Sequence, residues 1–525
     1  MRYDCTLNRW DFILGDYKTQ VTVPHTWNVD DAVMKHRGKA VYETCVLIDE
    51  KFAGKKVYLK FAAVYHTAEV YVNGKNTGGH SRSGFTPFKL DITSAVLFGK
   101  DNRITVEVDN THTPDMLPHG DDFDWSDDGG IIRRVTLSVR EPDAIEYMHI
   151  AEQIYSIKDG LASGVLKIRT NAEKPYKITV YDYSTGEIAA QSKDDELLFE
   201  NLKLWSPASP SLYTVTLETA DDIIEERTGI RKIETRGEKV YLNGEEIYLK
   251  GCEWMPGSHP DFGMAEPLDH SIKCLKQLKA AGCVFTRFHW QQDDTLFDWC
   301  DENGLLVQEE IPYWGYPKEA TPLQLDISKQ QADEMMRYHF NHPSIVCWGV
   351  GNELGAEKEA TIDYVKEMIN YFKAYDTRRL VNYVSNTLSR VENADKDDAT
   401  LYGDIAMWND YLGLWEPSDD IPAHMVRTCE KAKGMPLLVS EFGLCEPHFK
   451  GGDEERSRIL KERLELYSHI SNICGYMWFS LNDYRTHCGE EGEDKLRRRV
   501  HGSVDLYGNE KPSYRLLCKL QKTDK

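Results

Sequence analysis

The sequence lacks the features of membrane, secreted and nucleic-acid-binding proteins. No apolar run reaches the roughly 18 residues that a membrane span needs, and the N-terminus has no apolar signal core. None of the 12 cysteines forms a CxxC pair, which favours buried thiols in a reducing compartment. Positive charge is scarce: 63 Lys and Arg residues face 86 Asp and Glu residues, giving a net charge of −23. A polyanion would be repelled, so we expect a cytoplasmic protein with no nucleic-acid or membrane partner.

Cofactor motifs are also missing. The sequence has no GxGxxG after a strand, no P-loop and no HExxH, so we expect no cofactor and no metal. The acidic loop 121–128 has the composition of a divalent-cation site. A solvent-facing loop or a loop at the rim of a pocket is the favoured interpretation, because exposed acidic clusters commonly bind no ion.

The first 230 residues have the pattern of two β-domains. Between residues 1 and 140, apolar and polar residues alternate in short runs such as Ile104-Thr-Val-Glu-Val108, which is typical of half-buried strands. Residues 141–230 repeat this pattern on a smaller scale. We predict a jelly-roll β-sandwich over 1–140 and an immunoglobulin-like β-sandwich over 141–230.

From residue 231 to 525 strands alternate with helices. Helical spacing of apolar residues separates several of eight strand-like runs: 247–254, 283–289, 305–312, 344–351, 380–386, 404–411, 436–443 and 474–482. Eight such units predict a (β/α)8 barrel, in which the active site lies at the carboxyl ends of the strands.

Two glutamates stand out at these predicted strand ends. Glu353 ends the apolar run from Ser344, and Glu441 ends the run from Pro436. Glycoside cleavage needs two carboxyl groups, one that protonates the leaving oxygen and one that attacks carbon or activates water. With 86 acidic residues in the chain, a lone glutamate at a strand end has little weight, so the prediction rests on the surrounding motifs.

Those motifs resemble glycoside hydrolase family 2, which contains β-galactosidases, β-glucuronidases and β-mannosidases. The segment 341–353, which ends in Trp348-Gly-Val-Gly-Asn-Glu353, is similar to the family's acid/base signature. Val439-Ser-Glu-Phe-Gly443 is similar to its nucleophile strand. Further similar segments occur in family order at 23–28, 71–74, 204–213 and 242–251. The resemblance therefore extends over almost the whole chain and implies the same three domains.

The resemblance implies a retaining double displacement with Glu353 as acid/base and Glu441 as nucleophile. Glu353 must then hold a proton at neutral pH, which burial and the charge of Glu441 favour. Substrate-binding roles are expected for seven further residues at the predicted strand ends: Asn352 at the sugar 2-hydroxyl, Arg287 and Tyr411 beside the nucleophile, Trp478 as the floor of the sugar subsite, and His289, Asn409 and Glu253 around them. For Tyr411 and Trp478, a role as ordinary core aromatics is an equal alternative.

The motifs described so far do not identify the sugar on which the protein acts. Glucuronidases carry an Asn-x-Lys motif near the chain end that binds the sugar carboxylate, whereas the corresponding stretch here, Arg499-Val-His-Gly-Ser-Val-Asp505, lacks that motif. A neutral, galactose-like sugar is therefore the first expectation for an exo-acting β-glycosidase. The alternatives are a β-glucuronidase or β-mannosidase, an endo-acting glycanase, and a carbohydrate-binding protein without catalysis. A homo-oligomer is also possible.

Overall fold

The structure is a computed structural model, which describes residues 2–119, 124–315, 317–446, 448–486 and 498–523. Two β-sandwiches precede a closed β/α barrel, and the predicted multidomain architecture is confirmed. The boundaries proposed at residues 140 and 230 stay predictions. Part of the predicted acidic loop, residues 121–123, lies outside the described residues.

The first sandwich packs a four-stranded sheet, in the order β1-β10-β5-β8, against a six-stranded sheet, in the order β3-β2-β4-β9-β6-β7. Its strands are β1 Tyr3–Thr6, β2 Arg9–Leu14, β3 Tyr17–Thr22, β4 Lys39–Ile48, β5 Lys56–Phe61, β6 Thr67–Val72, β7 Lys75–His80, β8 Phe88–Asp91, β9 Lys100–Asp109 and β10 Val135–Arg140. In β9, Ile104, Val106 and Val108 are buried in the core between the sheets. The period-2 pattern therefore assigned the buried face correctly.

The second sandwich is smaller. One sheet has the order β11-β12-β15 and the other β14-β13-β18-β19, while β16 and β17 form a separate pair. The strands are β11 Met148–Lys158, β12 Leu161–Thr170, β13 Lys177–Asp182, β14 Ile188–Ser192, β15 Glu196–Lys203, β16 Trp205–Ser206, β17 Ser209–Pro210, β18 Tyr213–Glu218 and β19 Ile223–Thr228. All described pairings in these sheets are antiparallel.

A three-stranded sheet of β20 Ile233–Arg236, β21 Lys239–Leu242 and β22 Glu245–Glu246 leads into the barrel. Eight parallel strands close the barrel: β23 Leu249–Cys252, β24 Phe285–Phe288, β25 Leu306–Glu310, β26 Ile345–Asn352, β27 Leu380–Ser385, β28 Ala406–Asn409, β29 Leu437–Glu441 and β30 Ile473–Trp478. Each lies within or overlaps one of the eight predicted runs, because buried parallel strands are continuously apolar. Beyond β30, β31 Tyr484–Arg485 pairs with β32 Arg498–Arg499.

The α-helices of the barrel region are α1 Leu268–Ala281, α2 Asp294–Asn303, α3 Pro322–His339, α4 Glu359–Tyr375, α5 Ile421–Lys431, α6 Gly452–Ser468 and α7 Pro512–Thr523. The connection from β27 to β28 contains only short 3-10 turns, so a long loop stands over that part of the barrel mouth. Within the part of the chain that the structure describes, no helix has the length and apolar character needed to cross a membrane. The described cysteines are all free thiols.

Candidate active site

A cavity of about 690 Å³ lies over the carboxyl ends of the barrel strands. Its wall is formed by residues from the barrel and from the first sandwich: Asp124, Trp125, Met255, His289, Trp314, Asn352, Glu353, Asn386, Arg390, Val391, Glu392, Asn409, Tyr411, Trp415, Glu416, Pro417, Glu441, Phe479, Arg499 and His501. The two predicted catalytic glutamates therefore face one shared space. Carboxylates, amides and indoles dominate this wall, a set that suits a polyhydroxylated ligand.

Glu353 directly follows β26 and has a left-handed backbone, with φ of 56°. This conformation is unfavourable for residues other than glycine and occurs preferentially at functional sites. Its carboxylate accepts hydrogen bonds from the Trp314 indole at 3.0 Å and from the Asn409 amide at 2.6 Å. Both donors are neutral, so the bonds orient the carboxyl group without supplying a positive charge.

Steric constraints explain why Gly349 and Gly351 precede Glu353. A Cβ at Gly349 would lie 2.6 Å from a carboxylate oxygen of Glu310, and Gly351 has φ of 153°. The first glycine leaves room for side chains inside the barrel, and the second permits the backbone that turns Glu353 to the cavity. Both glycines of the Gly-x-Gly-Asn-Glu motif are therefore required by packing and backbone conformation.

Glu441 is the last residue of β29 and is 5% exposed. The Arg287 guanidinium donates to its Oε1 at 3.0 Å, and the Tyr411 hydroxyl donates to its Oε2 at 3.0 Å. Burial, followed by the charges of Glu253 and Glu353, raises the pKa of Glu441, while Arg287 opposes the rise. Burial and Glu441 also raise the pKa of Tyr411 well above its usual value, so its hydroxyl stays a donor.

Arg287 is fully buried beneath the cavity and holds three carboxylates. Its guanidinium makes two hydrogen bonds to Glu310, of 2.8 and 2.9 Å, and contacts Glu253 at 3.1 Å in addition to Glu441. These three buried carboxylates form a cluster around one cation. Glu353, which is half-buried, lies near enough for its charge to act on Glu441.

His289 lies two residues after Arg287, and the period of a strand places both side chains on one face. Its Nε2 is 2.7 Å from Glu253 Oε2 and 3.7 Å from Glu441 Oε1. These three residues, and separately Asp298, Asp301 and His342, are the groups among the described residues whose donor atoms converge as metal ligands would. Arg287 already supplies a cation to Glu253 and Glu441, so the first group is explained without a metal.

The amides of the site form a chain that ends at Glu353. The Ser440 hydroxyl donates to Asn409 Oδ1 at 2.7 Å, which directs the Asn409 Nδ2 toward Glu353 and, at 3.3 Å, toward Asn352 Oδ1. Hydrogen bonds among residues of β26, β28 and β29 thus fix the two amides that line the cavity beside Glu353.

Residues distant in sequence complete one side of the cavity. The Arg499 guanidinium donates to Asp124 Oδ1 at 2.6 Å, and the Tyr484 hydroxyl donates to Asp124 Oδ2 at 2.7 Å. Burial raises the pKa of Asp124, although Arg499 opposes the rise. His501 stacks on Tyr484 and contacts the ring of Phe479. The connection from β9 to β10 of the first sandwich is therefore joined to the barrel region at the site.

Comparison with protein-family models covers all three regions of the chain. Residues 10–141 match the sugar-binding domain of glycosyl hydrolases family 2, residues 150–231 match a further domain of that family, and residues 233–472 match its TIM barrel domain. The chain belongs to glycoside hydrolase family 2.

Curated relatives within family 2 carry two different activities in their names. A β-glucuronidase of Bacteroides fragilis is 27% identical over 84% of this chain and 68% of its own length. A β-galactosidase of Thermoanaerobacterium thermosulfurigenes is also 27% identical, over 93% of this chain and 70% of its own length. Such relatives identify the chain as a glycoside hydrolase without choosing between the two sugars.

Solved structures of family 2 share the fold over nearly the full chain. A β-D-glucuronidase of Dictyoglomus thermophilum superposes with a TM-score of 0.89 at 22% identity, covering 99% of this chain and 97% of its own. A Ruminococcus gnavus β-glucuronidase superposes with a TM-score of 0.90 at 21% identity, covering 99% and 98%. At this identity, the likeness concerns the fold alone.

The structure brings together most of the residues predicted for the site. Six of them line the cavity: Asn352, Glu353, His289, Asn409, Tyr411 and Glu441. Arg287 and Glu253 are not in the wall but beneath it, where both lie in the cluster around Glu441. Their contact with a substrate stays a prediction.

Trp478 does not have the position that was predicted for it. Its buried indole donates to the Ser503 hydroxyl at 2.9 Å and packs on Phe442, and it is absent from the cavity wall. The next residue, Phe479, lines the cavity instead. Successive residues of a strand point to opposite faces. A prediction that is wrong by one position therefore names a residue packed in the barrel core instead of the one that lines the cavity.

Sequence reasoning missed the residues that loops contribute. Trp125 and Asp124 belong to the acidic loop, whose interpretation as the rim of a pocket anticipated their position in part. Trp314 follows β25 in the run Glu310-Ile-Pro-Tyr-Trp314, where an aromatic after a polar strand end was an available signal. Arg390 and Trp415 lie in loops with no periodic pattern.

Proposed function

We propose that this chain is a retaining exo-β-glycosidase in which Glu353 is the acid/base and Glu441 the nucleophile. The observation that carries the proposal is the contrast between their partners across one cavity. Glu441 contacts the Arg287 guanidinium, whereas the side-chain donors to Glu353 are neutral. The cation beside Glu441 favours its ionised form, which a nucleophile needs. We therefore assign the role of nucleophile to Glu441 and that of proton donor to Glu353.

In the first step, a Glu441 oxygen attacks the anomeric carbon as the glycosidic C–O bond breaks. Glu353 gives its proton to the departing oxygen, which leaves as an alcohol, and the sugar becomes an ester of Glu441. Tyr411 and Arg287 orient the attacking carboxylate through their hydrogen bonds. As positive charge develops on the sugar ring, the remaining carboxylate charge of the cluster stabilises it.

In the second step, a water takes the place of the leaving group. Glu353, now ionised, accepts a proton from this water while its oxygen attacks the anomeric carbon and releases Glu441. Esterification has removed the charge of Glu441, which lowers the electrostatic penalty for an ionised Glu353. Two inversions leave the β configuration unchanged. Asn352 and Asn409 are assigned to the sugar hydroxyls, because both amides line the cavity beside Glu353.

A neutral, galactose-like sugar is the first candidate substrate. Arg499 and His501 occupy the stretch where glucuronidases carry Asn-x-Lys, and both line the cavity. The Asp124 carboxylate already pairs with Arg499, so that guanidinium has little remaining charge to offer a sugar carboxylate. A β-glucuronide is the second candidate, because its carboxylate would compete with Asp124 for Arg499. The names of relatives include both activities.

The test is turnover of nitrophenyl β-glycosides of galactose, glucuronic acid, mannose, glucose and arabinose, with the product anomer followed by NMR. We expect hydrolysis of the β-galactoside and initial release of the β-anomer. Preference for the glucuronide would replace the first candidate by the second. Initial release of the α-anomer, or binding of all five without turnover, would contradict the mechanism itself.

A further inference from the structure

We infer that the cavity contains a second subsite, formed by Asn386, Arg390 and Trp415, that binds a sugar as the leaving group. This inference rests on the proposed function and adds the class of substrate, namely a β-linked disaccharide or oligosaccharide end rather than an aryl glycoside. The three residues lie in loops that follow β27 and β28 and line the same cavity as the two glutamates.

The position of Asn386 places this side of the cavity beside the acid. The Glu353 backbone N–H donates to the Val384 carbonyl at 3.0 Å, so the end of β27 adjoins Glu353, and Asn386 comes two residues later. An acid that protonates the leaving oxygen must face the leaving group. Side chains next to Glu353 at the end of β27 are therefore placed to contact the leaving group.

The Asn386 side chain lacks a partner. Its Oδ1 is buried and accepts no hydrogen bond within the described residues. A buried amide oxygen without a donor is costly, and native proteins rarely leave one unsatisfied. A hydroxyl group of a ligand would supply the missing donor, as would an ordered water in the free protein.

Arg390 lacks a close partner for its guanidinium. The residue is half-buried and lines the cavity, and within the described parts of the chain it makes no ion pair shorter than 4 Å and no side-chain hydrogen bond. Its charge acts on Glu416 from a longer distance. The other cavity arginine, Arg499, pairs with Asp124, and Arg287 below the floor holds three carboxylates. In a chain with a net charge of −23, an arginine that makes no such contact is available to donate to a ligand.

Trp415 supplies a flat apolar surface. His448 stacks on its indole with 4.1 Å between ring centroids, and Phe449 meets it edge-on. Trp415 nevertheless stays 43% exposed and lines the cavity, so part of the residue is open to a ligand.

A sugar fits this combination better than an aryl or an anionic group does. An aryl group would stack on Trp415 but would leave Asn386 and Arg390 unpaired. An anionic group would meet the carboxylates of Glu392 and Glu416, which also line this side. A sugar ring offers C–H faces for the indole and hydroxyl groups that both donate to carboxylates and amides and accept from a guanidinium.

The test compares two substrates that carry the same glycone. One is a β-linked disaccharide of the sugar preferred in the panel, and the other is its β-glycosyl fluoride, whose one-atom leaving group does not reach the subsite. We expect Trp415→Ala to lower kcat/KM for the disaccharide about tenfold or more, and to change that for the fluoride less than about twofold. Tyr155→Ala, an exposed aromatic of β11, is the matched control and should change neither.

Arg390→Gln is the second variant. In the described chain Arg390 makes no ion pair within 4 Å and no side-chain hydrogen bond, and its charge acts on Glu416 from a longer distance. This change should therefore leave folding intact and again lower kcat/KM only for the disaccharide. Equal changes on both substrates, or no change on the disaccharide, would overturn the inference while leaving the glycosidase assignment in place. Failure of the unchanged protein to cleave the fluoride would instead remove the proposed function and the subsite with it.

Discussion

The floor and one side of the catalytic cavity differ in how completely their polar groups are paired. On the floor, Arg287 is fully buried and holds three carboxylates at 2.8 to 3.1 Å. On the side formed by the loops after β27 and β28, the Arg390 guanidinium makes no ion pair within 4 Å, and the buried Asn386 oxygen accepts no hydrogen bond within the described residues. In the proposed mechanism, the protein itself pairs the polar groups of the region where bonds change, whereas the region assigned to the leaving group is left for a ligand to complete.

Among the variants of the floor of the cavity, Glu441→Ala should have the largest effect on turnover. Without the carboxylate no glycosyl ester forms, and we expect kcat to fall at least about 10⁴-fold. Azide added to this variant should enter the space of the lost carboxylate and attack from the opposite face of the leaving group, giving an α-glycosyl azide. The measurement is turnover of the preferred nitrophenyl glycoside with NMR of the azide product.

Glu353→Ala is the matched control for that experiment. Its glycosyl ester on Glu441 still forms from a good leaving group, so azide should react with the ester and give the β-glycosyl azide. Opposite anomers from the two variants would assign the two carboxyls to opposite roles. Near-normal turnover by Glu441→Ala, or the same anomer from both, would contradict the assignment.

Arg287→Met and Arg390→Met test whether the difference in pairing between the floor and the loop side affects the free energy of unfolding. Removing Arg287 leaves buried carboxylates without their cation, so we expect the free energy of unfolding of the barrel to fall by about 3–5 kcal/mol. The same change at Arg390 should alter it by no more than about 0.5 kcal/mol. Denaturant unfolding followed by tryptophan fluorescence measures both. Similar losses at the two positions would show that the contrast in pairing has no energetic meaning.

The sequence predicted the residues on the floor of the cavity better than those in the loops after β27 and β28, and the reason is physical. Glu353 and Glu441 each follow a continuous apolar run, and such runs mark buried barrel strands whose carboxyl ends meet at one mouth. Arg287 and His289 are two positions apart, so one strand face brings both toward Glu441. Because the geometry of a strand is regular, the spacing of residues along it predicts which side chains lie on the same face.

The remainder depends on contacts that no local pattern encodes. Arg499 and Asp124 pair across 375 residues, and Trp415 lies in a loop whose path is set by tertiary packing. Trp478 and Phe479 are adjacent aromatics at the end of β30, where an uninterrupted apolar run gives no sign of which residue faces the cavity. Alternation assigns faces only when one of the two faces is polar.

Glu253→Gln tests the smallest effect, the tuning of the nucleophile by its buried neighbours. The charge of Glu253 raises the pKa of Glu441, so its removal should lower that pKa. Glu441 would then stay ionised to lower pH, and the acidic limb of the kcat/KM profile should move to lower pH by about one unit. The basic limb of the same profile serves as the internal reference. An acidic limb that stays in place, or moves to higher pH, would show that Glu253 does not act on Glu441 through its charge.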